Sequence, residues 1–222
     1  FWDHDLGPTY PHLFVADAPE LDDFSTSVPE KSDDDESALP ESEVTLRPVD
    51  VPAGKLGNVS ASWDGSRALV TIGRSVKMST EQVSSVYEIE LATGEASEIA
   101  IAPREREDVA DYTSYTSGPY SPDGSKALIL VSAGNMDGDP LRSWVELWDC
   151  ESGERTRIPA DFDEWPSAME WVGNDTLVLE AARLGRESLY VVDATDGTAT
   201  LITDDDYAYT NIGVRGGEIY AL

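Results

Sequence analysis

The chain is short of positive charge. Of its 222 residues only 15 are Lys or Arg, against 44 Asp or Glu, giving a formal charge of −29. Four of the basic residues are Lys: Lys31, Lys55, Lys77 and Lys126. A surface of that sign repels a polyanion, which excludes nucleic-acid binding through a basic face. No run of about 18 apolar residues occurs, so no membrane span is offered. Cysteine is confined to Cys150, which excludes a disulfide framework and a multi-cysteine zinc site. Histidine is confined to His4 and His12. Helical periodicity is nearly absent.

Catalytic motifs are missing too. There is no G-x-S-x-G nucleophile elbow, and Gly73-Arg74-Ser75-Val76-Lys77 fails at its last position. Neither His has a Ser partner at a recognisable elbow, so no catalytic triad is assigned. There is no Gly-rich phosphate loop and no C-x-x-C. The expectation is a chain with no cofactor, no metal and no catalytic residue of its own.

What is present is enough for a core. Hydrophobic residues make up 40%, with six Trp, nine Tyr and four Phe, so a wholly disordered acidic protein is excluded. The Asp-rich, Lys-poor balance fits a high-salt organism and a GC-rich bacterial genome, and the second is preferred. A bacterial cytoplasm is the expected setting. Self-repulsion predicts a fold that gains stability with added salt. The chain opens on Phe1 without a signal peptide and closes on Gly216-Gly217-Glu218-Ile219-Tyr220-Ala221-Leu222, which reads as a strand just after a turn. The expectation is a segment of a longer protein.

Short β-branched and aromatic runs dominate, punctuated by Gly, Asp and Asn. Val86-Tyr87-Glu88-Ile89-Glu90-Leu91 alternates with period two, so one face is apolar and the other wet. Ala127-Leu128-Ile129-Leu130-Val131 is apolar on both faces, as a central strand should be. Turns recur in two classes. Asp64-Gly65, Asp123-Gly124 and Asn174-Asp175 precede strongly apolar strands, and Thr93-Gly94, Ser152-Gly153 and Asp196-Gly197 separate alternating strands. The first class repeats after 59 and then 50 residues, and Gly216-Gly217 opens a further unit. Each unit holds two hairpins. Four strands per unit of about 40 to 50 residues is the signature of β-propeller blades. A four-stranded sheet has two faces to bury, and radial stacking buries both.

The predicted fold is therefore all-β, a partial propeller of four-stranded antiparallel blades, about four visible of a presumed seven or eight. Whole blades are placed at about 56–103, 111–160 and 166–203, with the start of another at 209–222. Residues 1–55 are read as a half blade. His12–Asp17 gives its third strand and Val44–Val49 its fourth. Between them lies an acidic insertion at about 18–43, containing Asp33-Asp34-Asp35-Glu36 and expected to be disordered.

Ser121-Pro122-Asp123-Gly124-Ser125-Lys126-Ala127 resembles the SPDG turn of propellers of the TolB and prolyl-oligopeptidase type. Pro presets the turn, Asp caps it and Gly supplies the positive φ. Ser62-Trp63-Asp64-Gly65-Ser66-Arg67-Ala68 is a variant with Trp63 in place of Pro, and Trp171–Leu177 a degenerate form. The segment Phe1-Trp2-Asp3-His4-Asp5-Leu6-Gly7-Pro8, followed by His12-Leu13-Phe14-Val15-Ala16-Asp17, looks like a stretch in the propellers of S9-family serine peptidases. These are the acylaminoacyl-peptidase and dipeptidyl-peptidase relatives of prolyl oligopeptidase. That resemblance implies a parent with a C-terminal α/β-hydrolase domain, absent from this chain, which carries the Ser-Asp-His triad. It implies short peptides as substrates and a propeller that restricts access to the active site. The alternative is a TolB-like binding scaffold with no catalytic domain.

Several residues are candidates for contacts. Trp165, in Asp161-Phe162-Asp163-Glu164-Trp165-Pro166, is the best candidate for an exposed contact in a loop, while Trp148 and Trp171 are expected to pack between blades. A sugar-binding face built from the Trp cluster is a third, weaker reading. Glu105 and Glu107, between Arg104 and Arg106, could meet a substrate or partner. No motif match carries over to them the amine-binding Glu pair of dipeptidyl-peptidase relatives. Asp3-His4-Asp5 reads as a capping loop rather than a metal site. Asp204-Asp205-Asp206 lacks the alternate-residue spacing of a calcium loop. Cys150 reads as a packed thiol.

Overall fold

A computed structural model describes residues 12–16, 45–75, 82–102, 111–135 and 141–222. The insertion expected at 18–43, together with Glu105, Glu107 and Asp3-His4-Asp5, lies outside the described residues. Within them every regular element is a strand, and no helix is long and apolar enough to cross a membrane.

Three sheets have four antiparallel strands in sequential order. The first holds β3 (Lys55–Ala61), β4 (Arg67–Ser75), β5 (Gln82–Glu90) and β6 (Ala96–Ala100). The second holds β7 (Asp111–Tyr120), β8 (Lys126–Asn135), β9 (Arg142–Asp149) and β10 (Arg155–Ile158). The third holds β11 (Trp165–Trp171), β12 (Thr176–Arg183), β13 (Arg186–Asp193) and β14 (Ala199–Leu201). Two two-stranded antiparallel sheets flank them: β1 (Leu13–Val15) with β2 (Arg47–Val49), and β15 (Gly213–Arg215) with β16 (Glu218–Tyr220). This is a partial β-propeller of four-stranded blades.

The period-two rule of a strand explains the packing. In β8, Ala127, Ile129 and Val131 point to the preceding blade and join Leu69, Val86 and Ala100. Leu128 points the other way and joins Leu177, Leu179 and Trp171 of the following blade. In β4, Ala68, Val70 and Ile72 pack toward β1 and β2 through Val49. Each core thus lies between sheets, and the both-faces-apolar run is a strand shared by two of them. Full burial of a Leu or Val side chain contributes roughly 1.5–3 kcal/mol. Trp148 and Trp171 are both buried in these inter-sheet cores. The Trp171 indole N–H donates to the Pro119 carbonyl of the preceding blade at 3.0 Å.

Each first strand carries an irregularity, between Leu56 and Val59, Ser117 and Tyr120, and Pro166 and Ala168. Gly118 marks the second of these: a Cβ there would sit 2.9 Å from the Leu128 carbonyl oxygen. A bulge bends the strand and re-aims its side chains. At this seam Asn58 Nδ2 donates to the Ser117 carbonyl, and the Thr71 and Ser117 hydroxyls lie 3.0 Å apart. The outer strands are polar, and two of their cations serve neighbouring rings. Arg155 and Arg157 lie 5.2 and 5.6 Å from the ring centroids of Tyr115 and Trp144.

Candidate functional site

Antiparallel order places the connections at two ends. One end carries the links after the first and third strands of each blade, and all of these but Leu91–Glu95 are turns that contain or open on an Asp. Their geometry repeats. The Ser62 hydroxyl donates to Asp64 Oδ1 at 2.6 Å, and that oxygen also accepts from the Ser66 N–H at 3.1 Å. The Ser121 hydroxyl donates to Asp123 Oδ1 at 2.7 Å, with the Ser125 N–H at 3.0 Å. These donors hold the Asp64 and Asp123 carboxyls down to about 2. Gly65 and Gly124 take φ +69° and +70° to close the turns.

Neighbouring turns are tied across the seams. Arg67 donates to the Gly124 carbonyl at 3.0 Å, and Lys126 Nζ pairs with Asp175 at 2.8 Å. Below them Tyr120 donates to Glu88 Oε1 at 2.7 Å, and Arg67 meets the same oxygen at 3.0 Å. Burial drives the Tyr120 hydroxyl far above its ordinary pKa, so it stays a donor. Cys150 is half-buried beside this cluster, and burial pushes its thiol up to about 11. A thiol of that pKa is no nucleophile near neutral pH.

The other end carries the links from fourth to first strand and the hairpins between second and third strands. Here lies Trp165. It opens β11 rather than sitting in the loop, pairs with Ala182, and is 48% exposed. Next to it Glu164 meets Arg183 Nε at 3.3 Å and the Tyr190 hydroxyl at 3.4 Å. Tyr190 stands edge-on to Phe162, with centroids 5.0 Å apart. Together with Asp161 and Asp163 from this end and Asp196 from the Asp-turn end, these rings line a groove of about 480 Å³. The β12–β13 hairpin turns through Leu184 and Gly185, with Leu184 at φ +51° and 88% exposed. Asp205 and Asp206 form an ordered loop: Asp205 accepts from the Tyr209 hydroxyl at 2.6 Å, and Asp206 pairs with Arg186 at 2.9 Å.

One group of residues was not singled out in the sequence. Ser167, Glu180 and Glu187 meet on the face of the third whole blade that turns away from the second. Ser167 is the extra residue of the β11 irregularity, and its hydroxyl lies 3.1 Å from Glu180 Oε1 and 3.3 Å from Glu187 Oε2. Glu180 is buried, and its Oε2 has no hydrogen-bond partner among the described residues. Glu170 shares this face, and burial raises its pKa. An acid inside the apolar run Thr176-Leu177-Val178-Leu179-Glu180-Ala181 was the available signal, since a charge in such a strand must be compensated.

No family model matches the sequence, and no curated protein matches it. Solved structures do. TolB from Acinetobacter baumannii aligns with a TM-score of 0.52 at 14% identity, over 80% of this chain and 40% of that one. A putative TolB from Agrobacterium tumefaciens aligns with a TM-score of 0.52 at 18% identity, over 76% of this chain and 54% of that one. The chain therefore spans about half or less of these structures. The likeness establishes the propeller fold. Oligopeptidase B from Trypanosoma brucei aligns at a TM-score of 0.46 and 19% identity, over 79% of this chain and 24% of that one, too loosely to carry an argument.

Proposed function

We propose that this chain is the non-catalytic, substrate-gating propeller portion of an S9-type serine peptidase that hydrolyses short peptides. The observation that carries the reading is the stretch Phe1–Asp17, whose resemblance to that family's propellers is the most specific signal in the sequence. The chemistry of the chain agrees with a wall rather than a catalyst. Its described residues hold a single histidine, His12, whose ring stands edge-on to Phe14 with centroids 6.5 Å apart. Acyl transfer needs a hydroxyl or thiol activated by a base. The nucleophile, its base and the peptide substrate belong to the parent's hydrolase domain on this reading. Stacked blades with buried seams make a stiff wall, which suits a size filter.

The test is a peptidase assay on the full-length parent. Changing the Ser of its G-x-S-x-G elbow to Ala should abolish hydrolysis of short peptides, and loosening the propeller should admit longer ones. Unchanged hydrolysis in the Ser→Ala variant would sink the reading. A TolB-like scaffold without a catalytic domain is the second reading, supported by the fold likeness to the two TolB structures. A coding sequence that continues beyond Leu222 without a nucleophile elbow selects it.

A further inference from the structure

The groove of about 480 Å³ lies where the outer strands of the second and third whole blades meet, and both of its walls come from complete blades. One wall is the link 159–164 that follows β10. The other is the outer hairpin of the third whole blade, with Tyr190 on β13, the turn residues Asp196 to Thr198, and Ala199 at the start of β14. The walls touch at one point. A Cβ on Gly197 would lie 3.9 Å from Pro159 Cα and 4.0 Å from the Ala160 nitrogen, an ordinary packing distance. Among the described strands β10 pairs only with β9 and β14 only with β13, so the groove sits at the rim, away from the faces that neighbouring blades cover.

The lining combines two chemistries. Phe162 and Tyr190, edge-on to one another, give it an aromatic patch, with Ala160 and Ala199 beside them. Asp161 and Asp163 flank Phe162 in sequence, Asp196 comes from the facing wall, and all three are exposed. Most carboxylates at the Asp-containing turns are occupied by Ser and Thr donors of their own. Asp161 and Asp163 accept no hydrogen bond among the described residues, and Asp196 accepts only the Thr198 N–H at 2.8 Å. No cation among those residues pairs with any of the three. Arg157 and Arg183 are engaged elsewhere, the first with the Phe162 carbonyl and the Trp144 ring, the second with Glu164. An apolar patch rimmed by charge of one sign marks a contact surface, and the sign selects a cationic partner.

We propose that this rim groove docks an extended basic segment of a partner protein. An apolar side chain of the segment rests on Phe162 and Tyr190, and basic side chains on either side of it meet Asp161, Asp163 and Asp196. A rim site is compatible with either reading of the chain's function, and its test involves neither. Calorimetric titration of the chain with acetyl-Ala-Lys-Leu-Lys-Ala-amide at physiological salt is that test. The peptide should bind, and its analogue with Gln for both Lys should not. Gly in place of Leu should weaken binding about tenfold, the loss of one buried apolar side chain. Asp161→Asn with Asp163→Asn should weaken it about fivefold, the size of two exposed ion pairs. Asp50→Asn with Glu95→Gln, an equal loss of charge at the first whole blade, should leave it unchanged. Ala160→Arg brings a cation to the same walls from an exposed position and should remove binding without lowering the melting temperature. No binding of the lysyl peptide, equal binding of the Gln or the Gly analogue, or equal weakening by the two pairs of substitutions would overturn the proposal, the last by reducing it to attraction to an acidic surface at large.

Discussion

The two ends of the blades solve the same problem differently. At one end the chain must reverse within a few residues, six times over, and at four of these reversals a carboxylate (Asp64, Asp123, Asp149 or Asp193) accepts from nearby Ser or Thr hydroxyls and backbone N–H groups. Those turns close on themselves and then on each other, through Arg67 to Gly124 and Lys126 to Asp175. At the other end the chain passes from one blade to the next, and the passages among the described residues, 50–54, 159–164 and 202–212, differ in length. There Leu184 occupies a left-handed position that a Gly would fill without strain, Trp165 is half exposed, and Glu180 has an oxygen without a donor among the described residues. Repetition goes with satisfied groups and variation with unsatisfied ones. A scaffold that keeps its function on its connecting loops has this division.

The comparison can be broken at several places. The largest effect should come from neither end but from the core that both share. Leu128→Ala, at a fully buried position between the second and third whole blades, should cost about 2–5 kcal/mol in denaturant unfolding. A smaller loss would mean that the seam collapses around the cavity. At the turn end Tyr120→Phe removes a 2.7 Å hydrogen bond to Glu88 and should cost about 1–2 kcal/mol. Trp165→Ala at the loop end should stay within about 0.5 kcal/mol, so equal losses would erase the distinction between the ends.

The backbone gives a finer contrast. Gly124→Ala forces a Cβ into φ +70° and should destabilise by about 1 kcal/mol. Leu184→Asn places a residue that tolerates φ +51° in an exposed turn and should raise the melting temperature slightly. The subtlest test is acid titration followed by carboxyl NMR. Asp64 and Asp123, held down to about 2 by their donors, should keep their charge well below the ordinary carboxylate range. Their folded-state pKa is depressed. The stability they add is therefore complete above their unfolded value near 3.9 and is lost as the pH falls toward 2. Titration of either near 4 would mean that the turns are open in solution.

Much of the fold was legible because its signals are local. The apolar run Ala127–Val131 announced a strand with two buried faces, and the structure divides its side chains between two cores. Glu154–Arg157 is polar throughout, and β10, which pairs only with β9, is exposed over its first three residues as an outer strand should be. The site was legible only in its exposed member. Trp165 stood out as an aromatic beside Asp and Glu, but its assignment to a loop was wrong. Pairing with Ala182 across the sheet makes it the first residue of a strand. Glu180 and Glu187 passed unnoticed because nothing in a linear reading brings them to Ser167.

The sequence by itself determined the strands, the turns, their repeat and the sign of the surface. Each depends on residues within a few positions of one another: alternation with period two, Asp and Gly at the reversals, and a ratio of acids to bases. The tertiary structure decided which faces meet. It joined Tyr120 to Glu88 and Arg67 across a seam, residues 32 and 53 positions apart in sequence. It also left Glu180 buried with one hydroxyl proton to share. Whether a buried charge finds a partner depends on what the next sheet brings to it. That is a property of packing between blades, which no local pattern records.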